Sequence, residues 1–252
     1  MKSLKKDLLN VNIYDTRAEM GAAAAKDIKD CLLSLLQVKE TVNMIFAAAP
    51  SQNEVLAALA TDREIPWSRV NAFHMDEYIG LAADAPQGFG NFLKAHIFGL
   101  ADFGSVSYID ITADDAEKEC ERYAQLLVEY PTDIVVMGIG ENGHIAFNDP
   151  PVADFEDPKA VKPVELDEIC RKQQVNDGCF ARLEDVPKTA ITLTVPTLFA
   201  GKHLFCIVPA ATKARAVRAT LCDDINEKCP ATVLRRHASA TLYLDGDSSA
   251  LL

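Results

Sequence analysis

Short apolar runs with the period of a strand alternate along this chain with longer runs that have the period of a helix. The strand pattern occurs at 11–14, 41–49, 69–74, 106–111, 133–137, 190–194, 204–208 and 240–244. The helix pattern occurs at 16–36, 50–59, 91–98, 114–129 and 212–220. A capping box, Thr16-x-x-Glu19, marks the start of the first helix, and Ser51 is the predicted N-cap of the second.

This alternation predicts an α/β fold with one doubly wound, mainly parallel sheet and helices on both of its faces. No Gly/Ser-rich linker, charge block or internal repeat divides the chain, so residues 1–252 are expected to form a single domain. Ligands of such sheets bind beyond the carboxyl ends of the strands. The segments of interest are therefore 49–54, 74–81 and 138–151, each of which follows a predicted strand.

Composition narrows the class of protein. The chain is 49% hydrophobic and 25% charged, which is typical of a globular protein. Its net charge of −12 argues against a nucleic-acid partner, because phosphate backbones are bound by surfaces rich in Lys and Arg. No apolar run approaches the ~20 residues of a membrane-spanning helix, and the basic start is not followed by the apolar stretch of a signal peptide. The seven scattered cysteines, never spaced C-x-x-C, favour a reducing cytoplasm. We expect a cytoplasmic protein without nucleic-acid or membrane partners.

A glycine-rich segment follows the strand predicted at 133–137. It reads Gly138-Ile139-Gly140-Glu141-Asn142-Gly143-His144. The spacing matches a dinucleotide-binding fingerprint, but a turn signal and two prolines stand where that motif needs a helix, so no nicotinamide cofactor is predicted. His144, with Asn142 before it and Asp149 after it, is a candidate proton relay, because imidazole titrates near neutrality. The alternative is a loop histidine that is hydrogen-bonded for structure only.

Two adjacent carboxylates, Asp76 and Glu77, follow the strand predicted at 69–74. Because neighbouring strand residues face opposite ways, only one of the two can point into a given cleft, and the other is expected to be structural or solvated. Two adjacent carboxylates at the end of a strand most often lie in a solvated turn or cap the start of a helix. Together with His144 it predicts an acid–base site. No metal site is predicted, since the five histidines form neither an H-x-x-x-H nor an H-E-x-x-H array.

Two motifs, about sixty residues apart, carry a resemblance: Met75-Asp76-Glu77-Tyr78-x-Gly80-Leu81 and Gly138-x-Gly140-x-x-Gly143-His144-Ile145-x-Phe147-Asn148. Together they resemble the glucosamine-6-phosphate deaminase/isomerase family over nearly the whole chain, more weakly at 154–180. The related 6-phosphogluconolactonases share the fold and a glycine–histidine loop, but lack the Met-Asp-Glu-Tyr string. The resemblance implies an isomerisation that releases ammonia from a phosphorylated amino sugar without a cofactor. Assembly into a homo-oligomer is an open alternative.

The resemblance also implies roles for the acid–base residues. Asp76 matches the base that takes a proton from C2 of the sugar and returns it at C1. His144 matches the histidine that assists opening of the sugar ring, and Asn142 and Asp149 match the residues that orient it. One common version of the pattern has Asp and Glu at these last two positions, so this chain departs from it there.

The phosphate side departs further from the family pattern. Where members usually carry a Thr/Ser-Gly-Gly-Ser/Thr-Pro loop, this chain reads Ala47-Ala48-Ala49-Pro50-Ser51-Gln52-Asn53. The start of the following helix can still bind an anion. The substrate- and phosphate-binding residues are expected to be Ser51, Gln52, Asn53, Gly140, Gly143 and Lys213. Gln174 begins the segment where many members place an arginine, and Arg171 or Arg182 are candidates to replace it.

Two other functions stay open at this point. In a lactonase-type hydrolase, His144 would activate water and Asp76 would be dispensable. In a sugar-phosphate-binding regulatory protein, the fold would persist without turnover. The gluco or galacto configuration of the sugar, allosteric regulation and the number of subunits are also open.

Overall fold

The computed structural model describes residues 1–113 and 115–252. The strands are β1 Lys2–Lys6, β2 Leu9–Ile13, β3 Val42–Phe46, β4 Val70–His74, β5 Asp76–Tyr78, β6 Ser105–Ser107, β7 Ile134–Met137, β8 Val161–Glu165, β9 Thr189–Leu193, β10 His203–Val208 and β11 Ala240–Leu244. The α-helices are α1 Arg17–Leu35, α2 Asn53–Thr61, α3 Phe89–Leu93, α4 Ala116–Glu129, α5 Glu168–Asn176, α6 Val195–Phe199 and α7 Ala214–Cys222. Short 3₁₀ turns precede α2 and α7, at Pro50–Gln52 and Ala211–Lys213.

The larger sheet confirms the predicted doubly wound, Rossmann-like architecture. Its strand order is β1-β2-β11-β10-β7-β3-β4-β6, and β1 alone among these described strands runs antiparallel to its neighbour. From β3 the chain adds β4 and β6 on one side, whereas β7, β10 and β11 lie on the other. The order therefore reverses between β3 and β7, which is where a crevice opens in such sheets.

The central strand β3 shows why helices cover both faces. Met44 and Phe46 pack into one hydrophobic core with α1 and α2, while Ile45 points the opposite way into a second core with α4 and α7. The strand therefore reads as a continuous apolar run, as expected for a parallel strand that is buried on both faces.

Helix starts were predicted with mixed success. The capping box is present, because the Thr16 hydroxyl accepts the Glu19 N–H and the Glu19 carboxylate accepts the Thr16 N–H. The prediction of Ser51 as an N-cap is wrong. Ser51 lies inside the 3₁₀ turn Pro50–Gln52, and α2 begins only at Asn53. The predicted helix at 114–129 begins at Ala116, and its first predicted residue lies outside the described residues.

A second, antiparallel sheet in the order β5-β9-β8 was not predicted from the sequence. The apolar run at 190–194 belongs to this sheet and forms β9. On β9, Thr192 pairs with Asp76 of β5, and its Oγ1 accepts the Phe147 N–H at 3.1 Å. The Leu193 carbonyl accepts the Asn148 side chain at 2.8 Å. One strand thus holds the two motif segments side by side.

Other elements escaped prediction because their sequences are polar. The lysine-rich β1 lies at the exposed edge of the larger sheet, and α5 has no long apolar stripe. β1 packs against β2 at the sheet edge, and α5 packs beside the cavity that is described below. Among the described residues, no helix combines the length and the apolar character that a membrane crossing requires.

Candidate active site

A cavity opens at the reversal point of the larger sheet. It is lined by Ala47, Ala48, Ala49, Ser51, Gln52, Met75, Asp76, Phe89, Gly138, Ile139, Gly140, His144, Ala146, Phe147, Gln173, Gln174 and Lys213. Six of the ten predicted site residues are in this lining: Ser51, Gln52, Asp76, Gly140, His144 and Lys213. Asn142 and Asp149 lie directly behind His144, whereas Asn53 and Gly143 lie outside the lining.

Asp76 enters the cavity from the first residue of β5, two residues after the end of β4. It is 6% exposed, and its carboxylate makes no hydrogen bond or ion pair within residues 1–113 and 115–252. Burial, and secondarily the neighbouring charge of Glu77, raises the pKa of Asp76 well above its usual value. An ionised carboxylate in this position lacks the solvation that would weaken it as a base.

Glu77 has the opposite environment. Its carboxylate accepts the N–H groups of Tyr78 and Phe89 at 2.9 Å and that of Gly90 at 2.8 Å. It thereby ties β5 to the first turn of α3. Burial raises the pKa of Glu77, although these three bonds oppose the shift. The prediction that one of the two carboxylates is structural is confirmed, and it is Glu77.

His144 is held by the two residues that were predicted to orient it. Its Nδ1 lies 2.8 Å from Asn142 Oδ1 and 2.8 Å from Asp149 Oδ1, so Nδ1 carries the hydrogen of the neutral ring. Asn142 Nδ2 donates to the same Asp149 oxygen at 2.9 Å. Nε2 makes no hydrogen bond within the described ranges, which leaves it able to exchange a proton with a ligand.

The Asp149 carboxylate is 1% exposed and is stabilised by these donors. Burial alone would raise its pKa, but the bonds from His144 and Asn142 outweigh burial and hold the pKa below its usual value. The Cys170 thiol of α5 lies beside it, and His144, Asp149 and Cys170 form a group whose ligand-type atoms are all within 4.8 Å. His144 Nδ1 already donates to Asn142 and Asp149, so hydrogen bonding explains why His144 lies so close to the other two residues of the group.

Two glycines shape the loop around the histidine. A Cβ at Gly140 would overlap the His144 ring, so glycine at this position lets the imidazole lie directly against the backbone. Gly143 has a φ of +86°, and a Cβ there would collide with Cys229. Gly143 therefore shapes the turn, while Gly140 makes room for the ring.

The loop after β3 supplies the opposite wall. The Ser51 hydroxyl accepts from Gln52 Nε2 at 3.0 Å and keeps its own proton available to a ligand. Gln52 Nε2 also donates to the Ile207 carbonyl at 3.1 Å, which ties the loop to β10. Arg17 of α1 donates to the Pro50 carbonyl. The loop is therefore anchored on both sides of Ser51.

Lys213 reaches the cavity from the 3₁₀ turn before α7. It is 4% exposed, and its ammonium makes no hydrogen bond or ion pair to any residue that the structure describes. Burial lowers the pKa of Lys213, and the more distant charges of Asp177 and Glu141 oppose that shift. A buried cation without a partner is costly, so an anion at this position would be strongly favoured.

Neither candidate arginine lines the cavity. Arg171 donates to the carbonyls of Leu183 and Val186, and Arg182 pairs with Asp185 at the surface. Two other residues of α5, Gln173 and Gln174, line it instead. From the sequence, Gln174 is only the place of a missing arginine, because α5 was not predicted.

Known proteins resemble this chain both in sequence and in fold. Residues 15–243 match the family model described as glucosamine-6-phosphate isomerases/6-phosphogluconolactonase. The glucosamine-6-phosphate deaminase of Bacillus cereus (strain B4264) is 32% identical over 243 residues, which are 96% of this chain and 89% of that protein.

Solved structures give the same grouping. A monomeric glucosamine-6-phosphate deaminase superposes with a TM-score of 0.87 at 28% identity, over 96% of this chain and 99% of that one. A 6-phosphogluconolactonase from Thermotoga maritima reaches 0.78 at 19% identity, over 94% and 99%, which supports the fold alone. With the family model matched over most of the chain, this protein belongs to the glucosamine-6-phosphate isomerase/6-phosphogluconolactonase family.

Proposed function

We propose that the chain converts an amino-sugar 6-phosphate, such as glucosamine 6-phosphate, into the ketose 6-phosphate and ammonia. One observation carries the proposal: a buried carboxylate without a hydrogen-bond partner among the described residues, that of Asp76, faces the same cavity as the imidazole of His144. A base and a proton relay in one cavity are what an aldose–ketose isomerisation requires. The deaminase relatives and the Met-Asp-Glu-Tyr string point to the same reaction.

The first step in this proposal is opening of the sugar ring. His144 Nε2 takes the proton of the C1 hydroxyl and gives one to the ring oxygen, so that the C1–O5 bond breaks and C1 becomes an aldehyde. Asn142 and Asp149 fix the ring through Nδ1 and stabilise the imidazolium that forms in between. This division of work has the form of other acid–base histidines, in which a buried carboxylate orients the ring.

The second step moves a proton along the chain of the sugar. Asp76 removes the proton from C2, the electron pair of the C–H bond forms a C1=C2 double bond, and the C1 oxygen gains a proton from solvent, which is released again when ammonia leaves. Asp76 then returns a proton to C1, and the nitrogen lone pair forms an iminium at C2. Water adds at C2 and ammonia leaves, so the sum is amino-sugar phosphate plus water to ketose phosphate plus ammonia.

We assign the phosphate to the wall formed by Ser51 and Lys213. Two features support this: the hydroxyl proton of Ser51 is not used in its bond with Gln52, and Lys213 is a buried cation at the cavity. The start of α2 adds the positive end of a helix dipole. Asn53, Gly140 and Gly143 stay predictions as ligand contacts, as do the cytoplasmic location and a homo-oligomeric state.

The test is an assay of the purified protein with glucosamine 6-phosphate, galactosamine 6-phosphate and 6-phosphogluconolactone. We expect ammonia and ketose 6-phosphate in equal amounts from an amino sugar. Hydrolysis of the lactone without ammonia release from either amino sugar would overturn the proposal in favour of a lactonase. Binding of these compounds without any turnover would overturn it in favour of a regulatory protein.

A further inference from the structure

His74, two residues before Asp76, is a fully buried histidine that the proposed reaction does not use. It is 0% exposed and closes β4. Its Nδ1 lies 2.9 Å from the Asp76 backbone carbonyl, and its Nε2 lies 2.9 Å from the backbone nitrogen of Ile109. A carbonyl can only accept and an amide N–H can only donate, so the ring carries its hydrogen on Nδ1. Burial lowers the pKa of His74 to about 4, which keeps the ring neutral.

The surrounding backbone is already fixed without this ring. The Tyr123 hydroxyl accepts the His74 N–H at 3.0 Å and lies 3.0 Å from the His74 carbonyl. The Met75 carbonyl accepts the Leu193 N–H at 2.8 Å, which holds the next residue against β9. The Asp76 carbonyl points to the His74 ring instead. β5 pairs with β9 on one side, and the His74 ring supplies the hydrogen bond to the Asp76 carbonyl.

The Asp76 carboxylate needs such a support because it has none of its own. It makes no hydrogen bond within residues 1–113 and 115–252, so its direction depends on the backbone that carries it. Glu77, the adjacent carboxylate, is held by three N–H donors and has no such need. A proton shuttle between two carbons tolerates little misplacement, since a shift of about 1 Å can cost about 100-fold in rate.

We propose that His74 is a positioning residue whose Nδ1–H, through the Asp76 carbonyl, aims the Asp76 carboxylate at the substrate, while its Nε2 contact serves stability alone. The inference rests on the proposed function, in which Asp76 is the base. The two nitrogens of the ring have different roles in this proposal. An Asn or a Gln side chain at position 74 can preserve one of the two hydrogen bonds while it removes the other.

The matched pair of variants is His74→Asn and His74→Gln. An Asn amide nitrogen stands near the position of Nδ1 and can still donate to the Asp76 carbonyl. A Gln amide reaches the position of Nε2 and can accept from Ile109 N–H, but it leaves the Asp76 carbonyl without its donor. Each variant loses one of two buried hydrogen bonds, so we expect similar losses of stability.

The readouts are kcat and KM for ammonia release together with urea unfolding of each variant. We expect His74→Asn to keep kcat within about threefold, and His74→Gln to lower it about 10- to 100-fold with KM little changed. Tyr123→Phe, which loosens the same strand without touching Asp76, is the structural control and should lose stability with little loss of kcat. Equal losses of kcat in both His74 variants would overturn the assignment while leaving the proposed function standing.

Wild-type protein that releases no ammonia would overturn the proposed function, and with it this inference. A second measurement covers the case in which a variant fails to fold. In ¹⁵N-histidine spectra of the wild-type protein, we expect the His74 ring to carry its hydrogen on Nδ1. The opposite tautomer cannot donate to the Asp76 carbonyl and would overturn the inference directly.

Discussion

The two walls of the cavity are built in opposite ways. The histidine loop, residues 138–149, bonds its own polar groups: Asn142, His144 and Asp149 are joined to one another. Elsewhere in the lining, the charged ends of Asp76 and Lys213 are buried without partners among the described residues. The histidine loop is therefore stabilised by its own contacts. We expect the buried charges of Asp76 and Lys213 to destabilise the free protein until a ligand supplies partners for them.

This comparison predicts different consequences for mutation. A change in the histidine loop should lower both activity and stability, because the same bonds serve both. A neutral replacement of Asp76 or Lys213 should lower activity but raise stability.

The largest effect is expected for Asp76→Asn. It removes the base and keeps the shape, so we expect kcat to fall about 100- to 10,000-fold with substrate binding nearly unchanged. Ammonia release and binding calorimetry measure the two quantities. Asp84→Asn, at an exposed carboxylate, is the matched control and should be neutral. Near-wild-type turnover by Asp76→Asn would show that another group is the base.

Next comes Gly140→Ala. The added methyl overlaps the His144 ring and must displace it, so we expect about a 100-fold loss of kcat and a lower free energy of unfolding. Gly246→Ala, where the nearest neighbour of the new Cβ is 3.4 Å away, is the control for the substitution itself. If both alanine variants keep full activity, the close fit of His144 against the backbone is unimportant.

Lys213→Met should weaken sugar-phosphate binding by about 1.5–3 kcal/mol, or about 10- to 100-fold, because a charge-assisted contact is lost. Unphosphorylated sugars should bind as before, and the exposed Lys188→Met should change neither affinity. Equal weakening of the binding of phosphorylated and unphosphorylated sugars would show that Lys213 does not contact the phosphate. Calorimetry with both sugars distinguishes the outcomes.

The same variant should unfold at higher urea concentration. The pKa of Lys213 is lowered on folding, so its charge destabilises the folded chain below that lowered value. The gain from Lys213→Met should be complete there and should shrink as pH rises toward the ordinary lysine pKa of about 10.4. A variant that is less stable than the wild type at neutral pH would show that the charge of Lys213 does not destabilise the folded chain.

The smallest effect is expected for Ser51→Ala. A hydroxyl that donates to a charged phosphate contributes about 1.5 kcal/mol, the low end of the range for bonds to charged groups, so KM should rise about tenfold at unchanged kcat. Steady-state kinetics suffices as the measurement. No change in KM would assign the anion contacts of this wall to Lys213 and the backbone.

Local signals predicted much of the fold. The capping box at Thr16 and the continuous apolar run of β3 depend on nearby residues only, and both were read correctly. The second sheet could not be read in this way. Its strand β9 has the same apolar pattern as a parallel strand, and it is the pairing with the distant strands β5 and β8 that makes it antiparallel.

The site was predicted only in part, because local motifs can be recognised in the sequence whereas contacts between distant segments cannot. The glycine–histidine segment and the Asp-Glu pair are contiguous motifs, so the cavity residues that they contribute were found. Gln174 was missed as a lining residue because α5 has little apolar periodicity, and His74 was missed because its partners are backbone groups of Asp76 and Ile109. Ser51 was misread because Pro50 starts a 3₁₀ turn one residue earlier.

We infer that the burial of Asp76 without a hydrogen-bond partner serves catalysis at the expense of stability. Urea unfolding of the wild type and Asp76→Asn as a function of pH tests it most directly. Because folding raises the pKa of Asp76, the wild type should lose stability as pH rises from the ordinary carboxyl value of about 3.9 through the raised one. We predict that the two proteins are similar at low pH and that Asp76→Asn becomes the more stable as pH rises. A variant that is less stable than the wild type at neutral pH would mean that the carboxylate stabilises the fold, and would contradict the account.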